Sequence, residues 1–467
     1  MSVVAGGGAR MPEAEGRAAE ERAEERAGFA PGVPFALLPF ALVSSGETLV
    51  GKGCLGLVAE GGEPLGARVR AHLAASAAAQ GAAPASPVSG ISASGISAPG
   101  ISAPGISAPS AAGPDMVVGA LPYERGAPAH LFQPAELSRS AGRACFAAAF
   151  PPPALVRPEP LSPACMRIAA EPPLAAYRAA VAEALARMQA SEGAPVGEAL
   201  RKIVLSRSLR LSSDRPIDAS ALLRALARDA GVTAFCVPLP PAGPPLAPQM
   251  PARALVGATP ELLVARQGRA VTSHPLAGSA RRWREASADR AAAQALLASD
   301  KDRREHGEVV TAILDQLAPH CVALGTPEGT GLTATASMWH LGTRICGRLR
   351  RPDLSAIDLA MLLHPTPAVC GTPRAAAARA IAELEGYDRG FYSGAVGWCD
   401  GAGDGAWHVA LRCAEVAGRE ARLYAGAGIV PGSDPVSEGE ETSAKFAAML
   451  QALGIDEDGR PLTEDGA

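Results

Sequence analysis

The sequence predicts an α+β protein built on antiparallel sheet, and three observations carry that prediction. Strand-like runs follow one another as hairpins joined by short turns such as DGAGDG and AGRE. Helical segments stand between groups of hairpins rather than after every strand. The regular strand–helix–strand alternation of a parallel, doubly wound sheet is missing.

From the N-terminus, residues 1–28 are rich in Glu, Arg and Ala and lack an apolar run of the kind a secretory signal needs. A charged tail, helical or disordered, is expected there. Residues 29–170 are expected to form the N-terminal part of one fold, with FALLPFALV and MVVGALPY as strand-like runs. Between these runs, Ala75 to Pro114 carries a five-residue repeat, GISAS-GISAP-GISAP-GISAP. Gly, Ser, Ala and Pro bury too little apolar area to offset ordering, so this stretch reads as a disordered inserted loop. Pro238 to Pro251 reads as a second, Pro-rich insertion.

Residues 171–454 carry the regular pattern. Leu174, Tyr177, Val181, Leu185 and Met188 recur at helical spacing. Lys202 to Leu211 is strand-like. Asp218 can cap a helix running to Ala230, with Gly231 ending it. Thr233 to Val237, ALVGA, LLVAR and Ala270 to Ser273 read as strands. Glu285 to Pro319 is mainly helical, as are Ser355 to Leu363 and Pro373 to Leu384, the latter with Thr372 as its expected cap. FYSGAVGW, AWHVALRCAEV and EARLYAGAGIV read as three strands, and Val436 to Leu453 as a closing helix stopped by Gly454. Residues 455–467 form a C-terminal tail.

Composition narrows the function classes. The chain has 467 residues, 48% of them hydrophobic, and a net charge of −4. That is enough to bury a large core, and no strongly basic surface advertises nucleic acid. No apolar run reaches the ~20 residues that span a bilayer. Nine scattered cysteines without CxxC spacing fit reduced thiols, so a cytoplasmic protein is expected. The chain has no Walker lysine, HExxH or GxSxG, which removes the nucleotide, zincin and α/β-hydrolase readings.

Several polar residues admit a chemical role beside an ordinary one. Glu438 and Glu441 are three apart and share a helix face, with Lys445 a turn beyond. They fit a solvated helix start favoured by the dipole, or a hard-cation site. Glu305, taken alone, reads as an ordinary surface charge. Glu261 lies between a strand and an apolar run; burial would raise its pKa and suit a general acid. A lysine such as Lys202 either snorkels to water or, in a closed site, serves as a base. Glycines in HPLAGSARR and LYAGAGIV make tight turns or let an anionic ligand approach the backbone.

The order and wording of these segments are more specific than any one of them. KIVLSRSL, ATPELL, HPLAGSARR, SDKDRREHGEVV, MWHLGTR, LLHPTPAVCGTPR, RGFYSGAVGW, VALRC and YAGAGIVPGSDPVSEGEETSAK occur in that order. The series resembles the chorismate-utilising enzymes, whose members include anthranilate, aminodeoxychorismate, salicylate and isochorismate synthases. The resemblance implies the anthranilate synthase component I-like fold, a large antiparallel β-sandwich wrapped by helices. Within that family, Lys202 resembles the base of the branch that activates water. Aminodeoxychorismate synthases have PIKGT where this chain has PLAGS, so their nucleophilic lysine would fall at Ala277. HPTPAVCG is similar to isochorismate synthases of catechol-siderophore pathways. The resemblance thus implies conversion of chorismate to isochorismate with Mg²⁺, with salicylate synthase or a catalytically silent relative as the alternatives. It implies Lys202 as base on water, Glu261 as acid to the C4 hydroxyl, and Glu305, Glu441 and Glu438 around the metal. Arg412 would hold the substrate's side-chain carboxylate, and Gly278, Ser279, His340, Ala368, Gly426 and Lys445 would contact or line the substrate site. Chorismate is the implied partner, with no nucleic acid and no membrane. Relatives of this kind are often monomeric, and a monomer is the expectation.

Overall fold

The structure is a computed structural model that describes residues 38–81, 114–142, 144–150, 166–193, 195, 198–240 and 251–462. The charged tail, the GISAP repeats, the middle of the Pro-rich segment and the last five residues lie outside the described residues.

Two large sheets and one small one form the frame, and every pairing between the named strands is antiparallel. The first large sheet runs in the order Gly371–Thr372, Lys202–Ser213, Glu420–Ile429, Cys413–Ala417, Arg253–Thr259, Thr233–Leu239, Phe40–Val43, Glu47–Lys52 and Glu136–Ala141. Strand Met166–Glu171 adds to the free side of Lys202–Ser213. The second large sheet has Leu262–Gln267, Gly405–Val409, Ala395–Asp400 and Met116–Leu121 at its centre. The small sheet joins Leu276–Arg281, Met338–Thr343 and Thr330–Ala334.

The large sheets face each other over Phe40, Phe235, Val237, Val118, Val396 and Trp398, which makes a sandwich. Helices Ala219–Leu226 and Pro435–Ala452 cover the outer face of the first sheet through Leu222, Leu223, Phe446 and Met449. Helices Leu65–Gly81, Asp300–Leu317 and Ala356–Leu363 cover the second through Val69, Val309, Ile313 and Leu359. The α+β sandwich wrapped by helices is therefore the observed architecture.

Several local expectations are corrected. Ala75 to Gly81, read as the start of a loop, belong to helix Leu65–Gly81, whose alanine-rich stretch has high helix propensity. The helix capped by Asp218 stops at Leu226 rather than Ala230. There Asp229 turns its carboxylate to the Gly231 and Ala336 amides, which favours a turn over further helix. Pro373, not Thr372, is the N-cap of Arg374–Glu385, because Thr372 is held in a strand opposite Lys202. Glu285 to Pro319 divides into Ala286–Ala298 and Asp300–Leu317 at Ser299, whose extended backbone ends one helix while its hydroxyl caps the next. AWHVALRCAEV is two strands, Gly405–Val409 and Cys413–Ala417, one in each large sheet. The strands between Cys321 and Leu349 had no counterpart in the sequence reading.

Candidate active site

The break in AWHVALRCAEV has a twin. Arg253–Thr259 lies in the first large sheet and Leu262–Gln267 in the second, so the chain crosses between sheets at Pro260–Glu261. The other crossing is at Ala410–Arg412. Reciprocal backbone bonds tie the two crossings: the Ala258 amide donates to Arg412 at 3.1 Å and the Val409 amide to Glu261 at 3.1 Å. The small sheet begins just past Pro275, beside them. A cleft opens where the three sheets meet, about 720 Å³ counting its mouth.

Ten of the twelve residues singled out above line this cleft: Glu261, Gly278, Ser279, Glu305, His340, Ala368, Arg412, Gly426, Glu441 and Lys445. Lys202 and Glu438 are buried at its border without forming its wall. Glu261 is 3% exposed. Its burial overrides the attraction of Lys202 and Lys445 and pushes its carboxyl up to about 8. A carboxylic acid that holds its proton at neutral pH is a donor for a leaving hydroxyl.

Lys202, fully buried at the first position of its strand, places Nζ 3.1 Å from Oε1 of Glu305 without hydrogen-bond alignment. Gly428 explains how the pair fits. A Cβ at Gly428 would collide with Glu305 Oε1 and come within 3.3 Å of Lys202 Cε. The glycine of AGAGIV thus leaves room for the carboxylate from helix Asp300–Leu317 to reach the strand lysine.

Each of the three proposed metal carboxylates faces a lysine. Besides Lys202–Glu305, Lys301 Nζ stands 2.6 Å from Glu438 and Lys445 Nζ 2.7 Å from Glu441. Glu438 is 1% exposed, and burial together with the neighbouring Glu441 raises its carboxyl. Its Oε2 is buried without a hydrogen bond formed in full, and the Ser433 hydroxyl lies near the carboxyl. Burial also works to raise Glu441, but Lys445 and the Ser279 hydroxyl at 2.8 Å overcome it and hold the carboxyl low. Lys301 feels all three carboxylates, Glu438 most strongly. Among the described residues no ready-made cluster of three metal ligands is present. The fit to a hard cation rests on the chemistry of the set: three carboxylates that act on one lysine, Lys301, one carboxylate oxygen without a full partner, and lysines supplying the compensating charge.

Cationic groups line the same cleft. Arg412 adopts φ +47°, donates to His340 Nε2 at 2.8 Å, and is drawn down to about 10 by burial. Burial and the Arg412 and Lys445 charges hold His340 neutral, well below the ordinary range. Lys445 also donates to the Gly426 carbonyl at 2.8 Å, which fixes its amine at the cleft. Gly278 sits at a bulge between Ala277 and Ser279 with φ +76°; a Cβ there would press on Asp302 at 2.9 Å. Lys301, Tyr392 and Ser393 were not expected at the site, and Gly428, one of the LYAGAGIV glycines, had no role of its own assigned. Ser393 and Arg412, both in the cleft wall, are the positive-φ residues other than glycine among the described residues.

Residues 155–454 match the family model described as chorismate binding enzyme. Isochorismate synthase DhbC of Bacillus subtilis (strain 168) is 48% identical over 282 residues, 60% of this chain and 68% of that protein. Isochorismate synthase EntC of Escherichia coli (strain K12) is 43% identical over 255 residues, 54% of this chain and 62% of that protein. The solved structure of DhbC from Bacillus anthracis superposes with a TM-score of 0.72 at 35% identity, covering 89% of this chain and 96% of that one. The chain belongs to the chorismate-binding enzyme family.

Proposed function

We propose that this chain is an isochorismate synthase, converting chorismate to isochorismate in siderophore biosynthesis, with a 2,3-dihydroxybenzoate pathway as the consumer of its product. Its similarity to the isochorismate synthases DhbC and EntC supports the reading. The observation that carries it within the molecule is the buried acid Glu261, poised at about 8 in one cleft with Arg412, Lys445 and Glu305, the last of these 3.1 Å from the buried amine of Lys202.

Lys202 takes a proton from the water that attacks C2 of the ring. Glu261 gives its proton to the C4 hydroxyl, which leaves as water while the ring double bond shifts. One water enters and one departs, so the reaction is an isomerisation. Arg412 and Lys445 receive the substrate's carboxylates through charge-assisted hydrogen bonds. Ala277 lines the cleft where the aminodeoxychorismate branch has its nucleophilic lysine, which disfavours that branch. Glu305, Glu441 and Glu438 would hold Mg²⁺, which when bound neutralises carboxylate charge and polarises the ring carboxylate.

Incubation with chorismate and Mg²⁺, followed by chromatography, tests the reading. Isochorismate is expected. Salicylate with pyruvate would indicate the lyase branch, and unchanged chorismate would refute catalysis.

A further inference from the structure

The strand that carries Lys202 has an incomplete neighbour. On one side it pairs with Glu420–Ile429 from Ile203 to Ser212. On the other, Gly371–Thr372 covers only Lys202 and Ile203, and Met166–Glu171 covers Ser208 to Ser213. The Cys370 carbonyl still accepts from the Val204 amide at 2.8 Å, and the chain then turns away through Thr366–Cys370. Val204 and Ser206 are 6% and 1% exposed, so water does not satisfy this stretch of edge.

A buried ion pair fills the gap. Arg389 donates through Nη2 to the Val204 carbonyl at 2.8 Å, and Glu385 accepts from the Ser206 amide at 2.6 Å and its hydroxyl at 2.8 Å. One donor and one acceptor spaced two residues apart is what a neighbouring strand would offer. The two side chains are each 2% exposed and bonded to each other at 2.5 and 2.8 Å. Gly386, at φ +69°, ends helix Arg374–Glu385 and lets the chain fold back so that the pair can form. Arg389 also donates through Nη1 to the Val369 carbonyl at 2.7 Å. Val204 and Val369 are both cleft wall, and Ala368 stands beside the latter.

We propose that Glu385 and Arg389 are positioning residues: together they replace a missing stretch of strand and lock the Lys202 strand to the Ala368–Val369 turn. The inference rests on Lys202 acting as the base. The pair touches no substrate; it acts by holding the amine and the opposing wall in register. Reacting groups displaced by about 1 Å can lose about a hundredfold in rate, so such a lock matters to turnover more than to substrate capture.

The test uses the full chain. Removing one partner alone strands a buried charge, so the informative variant is the double replacement Glu385→Met with Arg389→Met. It should retain its circular dichroism spectrum, exchange the Val204–Ser206 amides faster by about tenfold or more, and lower kcat by about tenfold or more with KM changed less than about threefold. Arg389→Lys, which cannot reach two carbonyls at once, should show the same split more weakly. Should the double variant not fold, Glu385→Gln keeps an acceptor for Ser206 and should still lower kcat ahead of KM. A folded variant with wild-type kcat, or unchanged exchange at Val204–Ser206, overturns the proposal. Absence of chorismate turnover in the wild-type chain would instead strike the function reading, and the exchange measurement would still decide the lock.

Discussion

Glu261 shows how one residue's surroundings set its chemistry. Its carboxyl lies near 8, against an ordinary value of 4.5, because burial outweighs two nearby ammonium groups. Between those two values the folded chain keeps a proton that the unfolded chain releases. This contribution to stability is therefore complete below about pH 4.5 and is lost as pH rises through about 8. Urea unfolding of Glu261→Gln from pH 5 to 8 should show a flatter decline than the wild type. The same substitution should stop loss of the C4 hydroxyl, since an amide donates no carboxylic proton. In the wild type, kcat/KM should fall as pH passes about 8. Lys202→Ala should lower turnover by about a hundredfold or more while chorismate still binds, as read by kinetics and calorimetry. Wild-type turnover in that variant would remove the lysine from the mechanism. Gly428→Ala places a methyl against Glu305 and should abolish activity as the Lys202–Glu305 pair is pushed apart.

At the scale of elements, strand crossings and helix starts deliver the polar groups. Glu261 and Arg412 sit where two strands leave one large sheet for the other, so neither is fully committed to a ladder and each can turn toward the cleft. Ser299 performs a similar service for the acids. Its hydroxyl accepts from the Asp302 amide and begins the helix that carries Lys301 and Glu305. Ser299→Ala should cost about 1 kcal/mol in stability. If the cap also aims the helix, the variant should bind metal more weakly than this stability loss explains, which Mn²⁺ titration by electron paramagnetic resonance would detect.

Taken whole, the molecule places its site where three sheets meet; one apolar cluster fills the space between the two large sheets and another lies on the outer face of each. Among the described residues no helix is long and apolar enough to cross a membrane. A site made of parts from every layer should report binding in global stability. Ligand present at about 100 times its Kd adds about 2.7 kcal/mol to the unfolding free energy. Chorismate with Mg²⁺ should therefore raise Tm in the wild type, and the shift should shrink in Glu441→Gln. An equal shift in both would place the metal elsewhere.

The residues themselves determined a good deal. Periodicity located helices Leu174–Ala190 and Pro435–Ala452, Asp218 marked its helix start, and alternating runs with turn residues marked most central strands. Ordered motifs singled out the family and the twelve residues, because a motif records residue types at fixed spacing. Local sequence could not say that AWHVALRCAEV changes sheets, or that Glu285 to Pro319 breaks at Ser299, since both depend on what packs against them. Nor could it reveal that Lys301 faces Glu438 across 137 positions, or that Gly428 makes room for Glu305. Burial, charge pairing and close approach arise only when distant segments meet, and those are the quantities that keep Glu261 protonated and bring Lys202 to Glu305.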